Sequence, residues 1–302
     1  MTLRAKLQNF RKRDWPEIRD SWLANVPAFP AVGARPDPGL ERLNPLLQIT
    51  LPENYARFAD VSGLRPNTLW ESVFLFHKCA HTNLAAQRLA YEGMHSWCLF
   101  NAYHSAYLGA RGIASLFGVA LPNLKGNQVG IDLFPEPEKK KSTRALGAPQ
   151  FQEFLIVRLP LLDQRHLWET FQRVLRMTHQ ECLDARLRDE LLDLSYEAIT
   201  PPRNHFLYKA HFWPLGDLTG DAAVGDLNVL FGTELDSAEQ GFLLRLSFSV
   251  YRVFEQLMRD LADYSAVIKE QLDGSRFVMN ESTPQFACYQ SFLEQVATQG
   301  AE

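Results

Sequence analysis

Stretches of helical periodicity dominate the chain, interrupted by one region where apolar residues return every second position. From Leu3 to Val26, Leu3, Leu7 and Phe10 keep a helical spacing, and Pro16 breaks or restarts that helix. Residues 27–45 carry Pro27, Pro30, Pro36, Pro38 and two glycines, the composition of an irregular connection. Asn67 is placed to cap a helix from about Leu69 to Tyr91, closed by Gly93; a second runs from about His95 to Phe117, closed by Gly118. In the second, Trp97, Phe100, Tyr103, Tyr107, Ala110 and Ala114 return at threes and fours. The small residues Ala102, Ala106 and Gly109 between them let a neighbouring helix come close. The two helices are expected to form an antiparallel hairpin.

Between Gln128 and Leu159 the period changes. Val129, Ile131 and Leu133 alternate with Gly130 and Asp132, and FQEFLIVRL is dense in strand formers, with the polar run PEPEKKKSTRALGAPQ between them. This predicts a β-hairpin at about 128–159, inserted into a helical protein. Helical patterning resumes at Leu162–Met177 and Glu181–Tyr196. Thr200 and two prolines then open a short helix through Phe212, stopped by Pro214. Ser237 is placed to cap a long helix reaching about Leu272, whose apolar residues from Leu243 to Leu261 are too many for one stripe and predict a central position. The expected fold is mainly α: residues 1–66 as an N-terminal helix and irregular connection, and 67–302 as an antiparallel helical bundle with the hairpin insertion.

Composition agrees with a packed interior: of 302 residues, 46% are hydrophobic and 22% charged, with 20 Phe, 9 Tyr and 6 Trp. A net charge of −4 provides no global attraction to nucleic acid or an anionic membrane, so such contacts require a local basic patch. Two patches qualify. The segment through Arg13 has five basic residues and no acidic one, and Lys139, Lys140, Lys141 and Arg144 crowd the hairpin loop as candidate RNA-binding residues. A solvated helix face and a solubilising loop tip are the competing readings. Cys79, Cys98, Cys182 and Cys288 form no CxxC pair, which favours free thiols in a reducing, cytoplasmic setting. Neither a signal-peptide core nor an apolar run of membrane-spanning length is present in the sequence, so a soluble protein without membrane contact is expected.

The chain has no GxGxxG after a strand, no GxxxxGK[ST], no GxSxG and no HExxH, which argues against dinucleotide enzymes, P-loop NTPases, α/β-hydrolases and zincins. His77 and His81, four apart on one helix, are half of a metal site without a visible third ligand; no metal or cofactor is expected. Residues 200–214, TPPRNHFLYKAHFWP, are more informative. With Thr200 as cap and Pro201 in the first helical position, Arg203 and Asn204 fall in the first turn, where unpaired N–H groups and the helix dipole favour a phosphate. Asn204, Tyr208 and His211 recur at i, i+4 and i+7 beside Arg203. Such a set can cleave RNA without metal: His or Tyr moves the 2′-hydroxyl proton and Arg stabilises the growing phosphorane charge. In the structural alternative, Arg203 pairs with Glu197 or Asp217, and Tyr208, His211 and Trp213 cover the bundle.

Two segments resemble the HEPN superfamily of helical bundles. SWCLFNAYHSAYLGARGIASLFGV, residues 96–119, is similar to that superfamily's aromatic and alanine-rich helix. Arg203-Asn204 resembles its hallmark Arg and polar residue, which are followed by a His four to six residues on. Here Tyr208 occupies that window and His211 lies beyond it, so the segment also resembles a variant RNxxxY pattern. The resemblance spans roughly 70–118 and 182–272. It implies a metal-independent endoribonuclease of stress response or phage defence, with Arg203, Asn204, Tyr208 and His211 catalytic. It further implies a site formed across a homodimer and control by a regulatory protein, as in toxin–antitoxin pairs. A silent module that binds RNA, nucleotide or a protein partner through the same face or the basic loop 139–144 is the alternative.

Overall fold

The computed structural model describes residues 13–26, 55–59, 64–92, 94–121, 123–124, 127–134, 153–158, 164–179, 185–194, 196, 199 and 238–273. Helices predominate among them. They are α1 (Trp15–Asn25), α2 (Leu64–Tyr91), α3 (His95–Leu116), α4 (Gln164–Met177), α5 (Ala185–Asp193), α6 (Ala238–Asp263) and α7 (Ala266–Asp273). The strands are β1 (Arg13–Asp14), β2 (Tyr55–Ala59), β3 (Val119–Ala120), β4 (Asn123–Leu124), β5 (Asn127–Asp132), β6 (Glu153–Arg158) and β7 (Thr178–His179).

The α2–α3 hairpin is the centre of the molecule, and α6 lies against both its helices. Closeness is set by two glycines of α3. A Cβ on Gly109 would lie 2.6 Å from Val250 Cγ1 and 3.0 Å from Cys79 Sγ, and one on Gly112 would collide with the Phe254 ring. The glycines therefore seat α6 side chains directly on the α3 backbone. Ala102, Ala106 and Ala110 extend this small-residue face, all fully buried, while Leu243, Leu246, Val250, Val253, Phe254 and Leu257 supply the bulk opposite. The central position expected for the long C-terminal helix follows from that complementarity.

Several boundaries differ from the sequence expectation. Helix α2 begins at Leu64, so Asn67 is an internal residue and not its cap. Proline lacks an N–H and has a fixed φ suited to a first turn, which lets Pro66 sit inside the helix start and lets the helix extend towards the N-terminus. The boundary expected between residues 66 and 67 thus falls within a helix, and Trp15, Ile18 and Trp22 of α1 join the same core cluster as the hairpin. At the other end, the single helix expected to reach Leu272 is two. Ser265 Oγ accepts a bond from Ile268 N–H at 3.4 Å, so Ser265 ends one helix and caps the next. Helix α5 covers Ala185–Asp193 of the expected 181–196, of which residues 181–184 lie outside the described residues.

The expected hairpin is present as β5 paired antiparallel with β6, in a register that sets Ile131 opposite Ile156. It belongs to a larger sheet of order β2-β6-β5-β3, with β4 paired to β5. Strand β2 comes from the segment read as irregular connection and pairs antiparallel with the outer edge of β6. A five-residue strand carries too little pattern of its own, and the open β6 edge determines its conformation. After α3, Gly118 takes φ 80°, and its carbonyl accepts from Leu133 N–H at 2.9 Å, turning the chain into β3. The closure expected at Gly118 is therefore the joint between bundle and sheet.

Candidate functional site

The residues with the strongest chemical pattern, Arg203, Asn204, Tyr208 and His211, lie outside the described residues, as do Lys139, Lys140, Lys141 and Arg144. Immediately before the first set, Ile199 is buried in the main core and Tyr196 packs against it. Arg165 of α4 stands 5.9 Å from the Tyr196 ring centroid.

The described bundle presents its own polar and aromatic surface on the outer face of α2 and α3. The small residues of α3 face inward, and two of its large rings lie on the opposite side: Trp97 is 57% exposed and Phe100 37%. The face read in the sequence as one helical stripe is thus divided, with Tyr103, Ala110 and Ala114 buried and Trp97 and Phe100 outside. Trp97 meets Phe100 edge to face, with centroids 5.8 Å apart, and Phe100 meets His104 at 4.2 Å. His104 Nδ1 lies 3.0 Å from the Phe100 carbonyl oxygen, which only accepts, so Nδ1 donates there and, in the neutral ring, Nε2 is left as the acceptor. On α2, the Lys78 ammonium lies 4.9 Å from the centroid of the exposed Phe74 ring. Arg111 of α3 and Glu71 of α2 close one end of this face through an ion pair of 2.7 Å.

Behind that face the polar groups are structural. Ser105 Oγ donates to the Cys79 carbonyl at 3.0 Å and lies 3.4 Å from Cys79 Sγ, so the thiol is the donor to the hydroxyl. Burial pushes the Cys79 thiol up to about 12. Cys79 and Cys98 are both buried free thiols, as expected; Cys182 and Cys288 lie outside the described residues. His77 is half-buried and beside Phe76, and burial lowers its pKa, whereas His81 is exposed. The two imidazoles therefore occupy unlike environments. Among the described residues no group of three or more His, Cys, Asp or Glu is arranged to hold a metal ion. Tyr103 hydroxyl donates to Gln164 Oε1, tying α3 to the start of α4.

Two further clusters are charged. Glu255, almost fully buried on α6, accepts from Arg252 at 2.6 Å and from Arg259 at 2.8 Å, one turn away on either side. Asp260 accepts from the Trp15 indole at 2.7 Å and from Arg19 at 3.2 Å, and the Arg19 guanidinium also covers the exposed Tyr264 ring at 4.0 Å. Each pairs a carboxylate with fixed cations and joins or stiffens elements. Neither offers a reactive group to solvent in the way the α3 rings do. No described helix is long and apolar enough to cross a membrane. Comparison with family models, curated proteins and solved structures finds no match to this chain.

Sequence reasoning assigned the α3 rings to a helical stripe without separating inside from outside. The signal was there: the small residues Ala102, Ala106 and Gly109 mark the packed side, and Trp97 and Phe100 fall on the opposite side of the helix.

Proposed function

We propose that this protein is an HEPN-like, metal-independent endoribonuclease acting in stress response or phage defence. The observation that supports this reading is the sequence pattern of residues 200–214, in which Arg203 and Asn204 fall in the first turn of the expected helix and Tyr208 and His211 recur at the spacing of one helical face. Arg203 stabilises the charge growing on the phosphate and Asn204 orients it, while His211 or Tyr208 takes the 2′-hydroxyl proton. The mainly helical architecture, with a long α2–α3 hairpin, is compatible with that family resemblance. The reading further includes a homodimer and a regulatory protein partner in the cytoplasm.

Purified protein incubated with total RNA should give cleavage that resists EDTA and is lost in Arg203→Ala, by about a hundredfold or more for the loss of one transition-state charge contact. Cleavage unchanged in both Arg203→Ala and His211→Ala rules the assignment out. A second reading, a catalytically silent module that binds RNA, is favoured by the exposed rings of Trp97 and Phe100. It predicts binding without turnover.

A further inference from the structure

The outer face of α3 has the chemistry of a stacking platform. Trp97, Phe100 and His104 form a continuous run of rings one helical turn apart, with centroid separations of 5.8 and 4.2 Å. Trp97 and Phe100 stay open to solvent although the same helix has a deep apolar interface on its other side. The neighbouring α2 carries the exposed Phe74, with Lys78 4.9 Å from its ring centroid. Among the described residues of α2, α3 and the turn between them, the large aliphatic side chain that is strongly exposed is Met94. A helix face built to bury another protein helix is rich in Leu, Ile and Val; this one is rich in flat π surfaces flanked by cations.

Charge points the same way. Of the four Lys and Arg in residues 64–116, Arg65 is buried and donates to the Leu133 carbonyl and Arg111 is engaged by Glu71, which leaves Lys78 and Arg88 exposed on α2 against the exposed Glu92. Glu71 is already engaged by Arg111 at 2.7 Å. Lys78 and the exposed Arg88 lie on α2, which runs beside α3, and His104 offers Nε2 as an acceptor to a base edge. Bases stacking on aromatic rings, with phosphates met by nearby Lys and Arg, are how single strands are held without sequence preference.

We infer that the outer face of the α2–α3 hairpin, centred on Trp97, Phe100 and His104 with the exposed Lys78 and Arg88 on the neighbouring α2, binds single-stranded RNA. This rests on the reading of RNA as the protein's target and assigns it a surface separate from Arg203. The experiment measures fluorescence anisotropy of a labelled 2′-O-methyl oligouridylate of about twelve nucleotides, a length within the range single-strand folds cover. Lacking a free 2′-hydroxyl, this probe reports binding apart from cleavage.

Trp97→Ala is expected to weaken binding about tenfold, and Trp97→Ala with Phe100→Ala by a further tenfold or so, as base–aromatic stacking implies. Trp97→Phe should retain most of the affinity, and Lys78→Glu should weaken it and flatten its salt dependence. The two rings are exposed, so unchanged circular dichroism will accompany these losses. Wild-type affinity in the double variant overturns the platform, as does failure of the wild-type protein to bind. Tighter binding of the matched single-stranded DNA overturns the choice of RNA. A dimer that the double variant converts to monomer, without RNA binding, makes the face a protein interface and also overturns it. If Arg203-dependent cleavage holds while the double variant binds normally, the platform alone fails. If the double variant loses binding and no form cleaves RNA, the nuclease reading alone fails.

Discussion

At the scale of single residues, burial decides what a reactive type can do. Cys79 sits in the sequence between two histidines four apart, HKCAH, a grouping that invites a metal or redox reading. In the fold it turns inward, donates to Ser105 and touches the Gly109 backbone, and its pKa rises from 9.0 to about 12 because a thiolate there would be desolvated. Stability is fully present while the unfolded thiol stays protonated, and it is lost as pH rises from about 9 towards 12, where the unfolded chain releases a proton that the folded one keeps. Urea melts between pH 8 and 10.5 should show this decline, and Cys79→Ala should remove its share of the slope. In the same range Cys79 should stay unmodified by iodoacetamide in the native protein. Rapid labelling at pH 8 would contradict the burial on which this depends.

At the scale of elements, α3 is two surfaces on one helix. Its inward side is made of small residues so that α6 can lie close, and Gly112 is the tightest point, with the buried Phe254 ring against its backbone. Gly112→Ala would ordinarily favour a helix by up to about 1 kcal/mol. Here the added methyl meets a rigid ring in a full core, and overpacking of this kind costs about 1–3 kcal/mol. The expected outcome is net destabilisation in urea titration, with Gly112→Ser at least as damaging. A pairing of Gly112→Ala with Phe254→Leu should recover part of the loss. The helix pair and its closing Gly118 were legible in the sequence because the pattern is long and the breakers are strong. Strand β2 was not, since five residues acquire strand character only from the β6 edge. The division between α6 and α7 was also missed: the apolar period runs through Tyr264 and Ser265 without interruption, and only the Ser265 cap bond separates them.

At the scale of the whole molecule, distant parts of the chain share one interior. Trp15 of α1 is 1% exposed and donates to Asp260 of α6, and Trp22 donates to the Leu116 carbonyl at the end of α3 at 2.6 Å. These bonds hold α1 to the hairpin and to α6 at once. Asp260→Ala leaves a buried indole N–H and the Arg19 cation without their acceptor, at a cost of about 1–3 kcal/mol. Thermal melting should register that loss across the bundle, and limited proteolysis should cut first within α1. Asp260→Asn, which keeps an acceptor oxygen, should lose less. Separate melting of α1 with an unchanged bundle transition would show that the clasp is peripheral.

The sequence by itself determined the helical class, the central hairpin, the β5–β6 insertion and the buried free thiols of Cys79 and Cys98, because each follows from local periodicity, breakers and residue type. It also singled out Arg203, Asn204, Tyr208 and His211 by spacing, a chemical pattern that belongs to a segment outside the described residues. Only the tertiary structure decided that α1 belongs to the same core, that β2 completes a sheet, and that Trp97 and Phe100 face solvent. Periodicity says which residues share a helix face, but which face is buried depends on what packs there. On α3 the close approach of α6 to Gly109 and Gly112 fixes the packed face, and Trp97 and Phe100 lie on the other side.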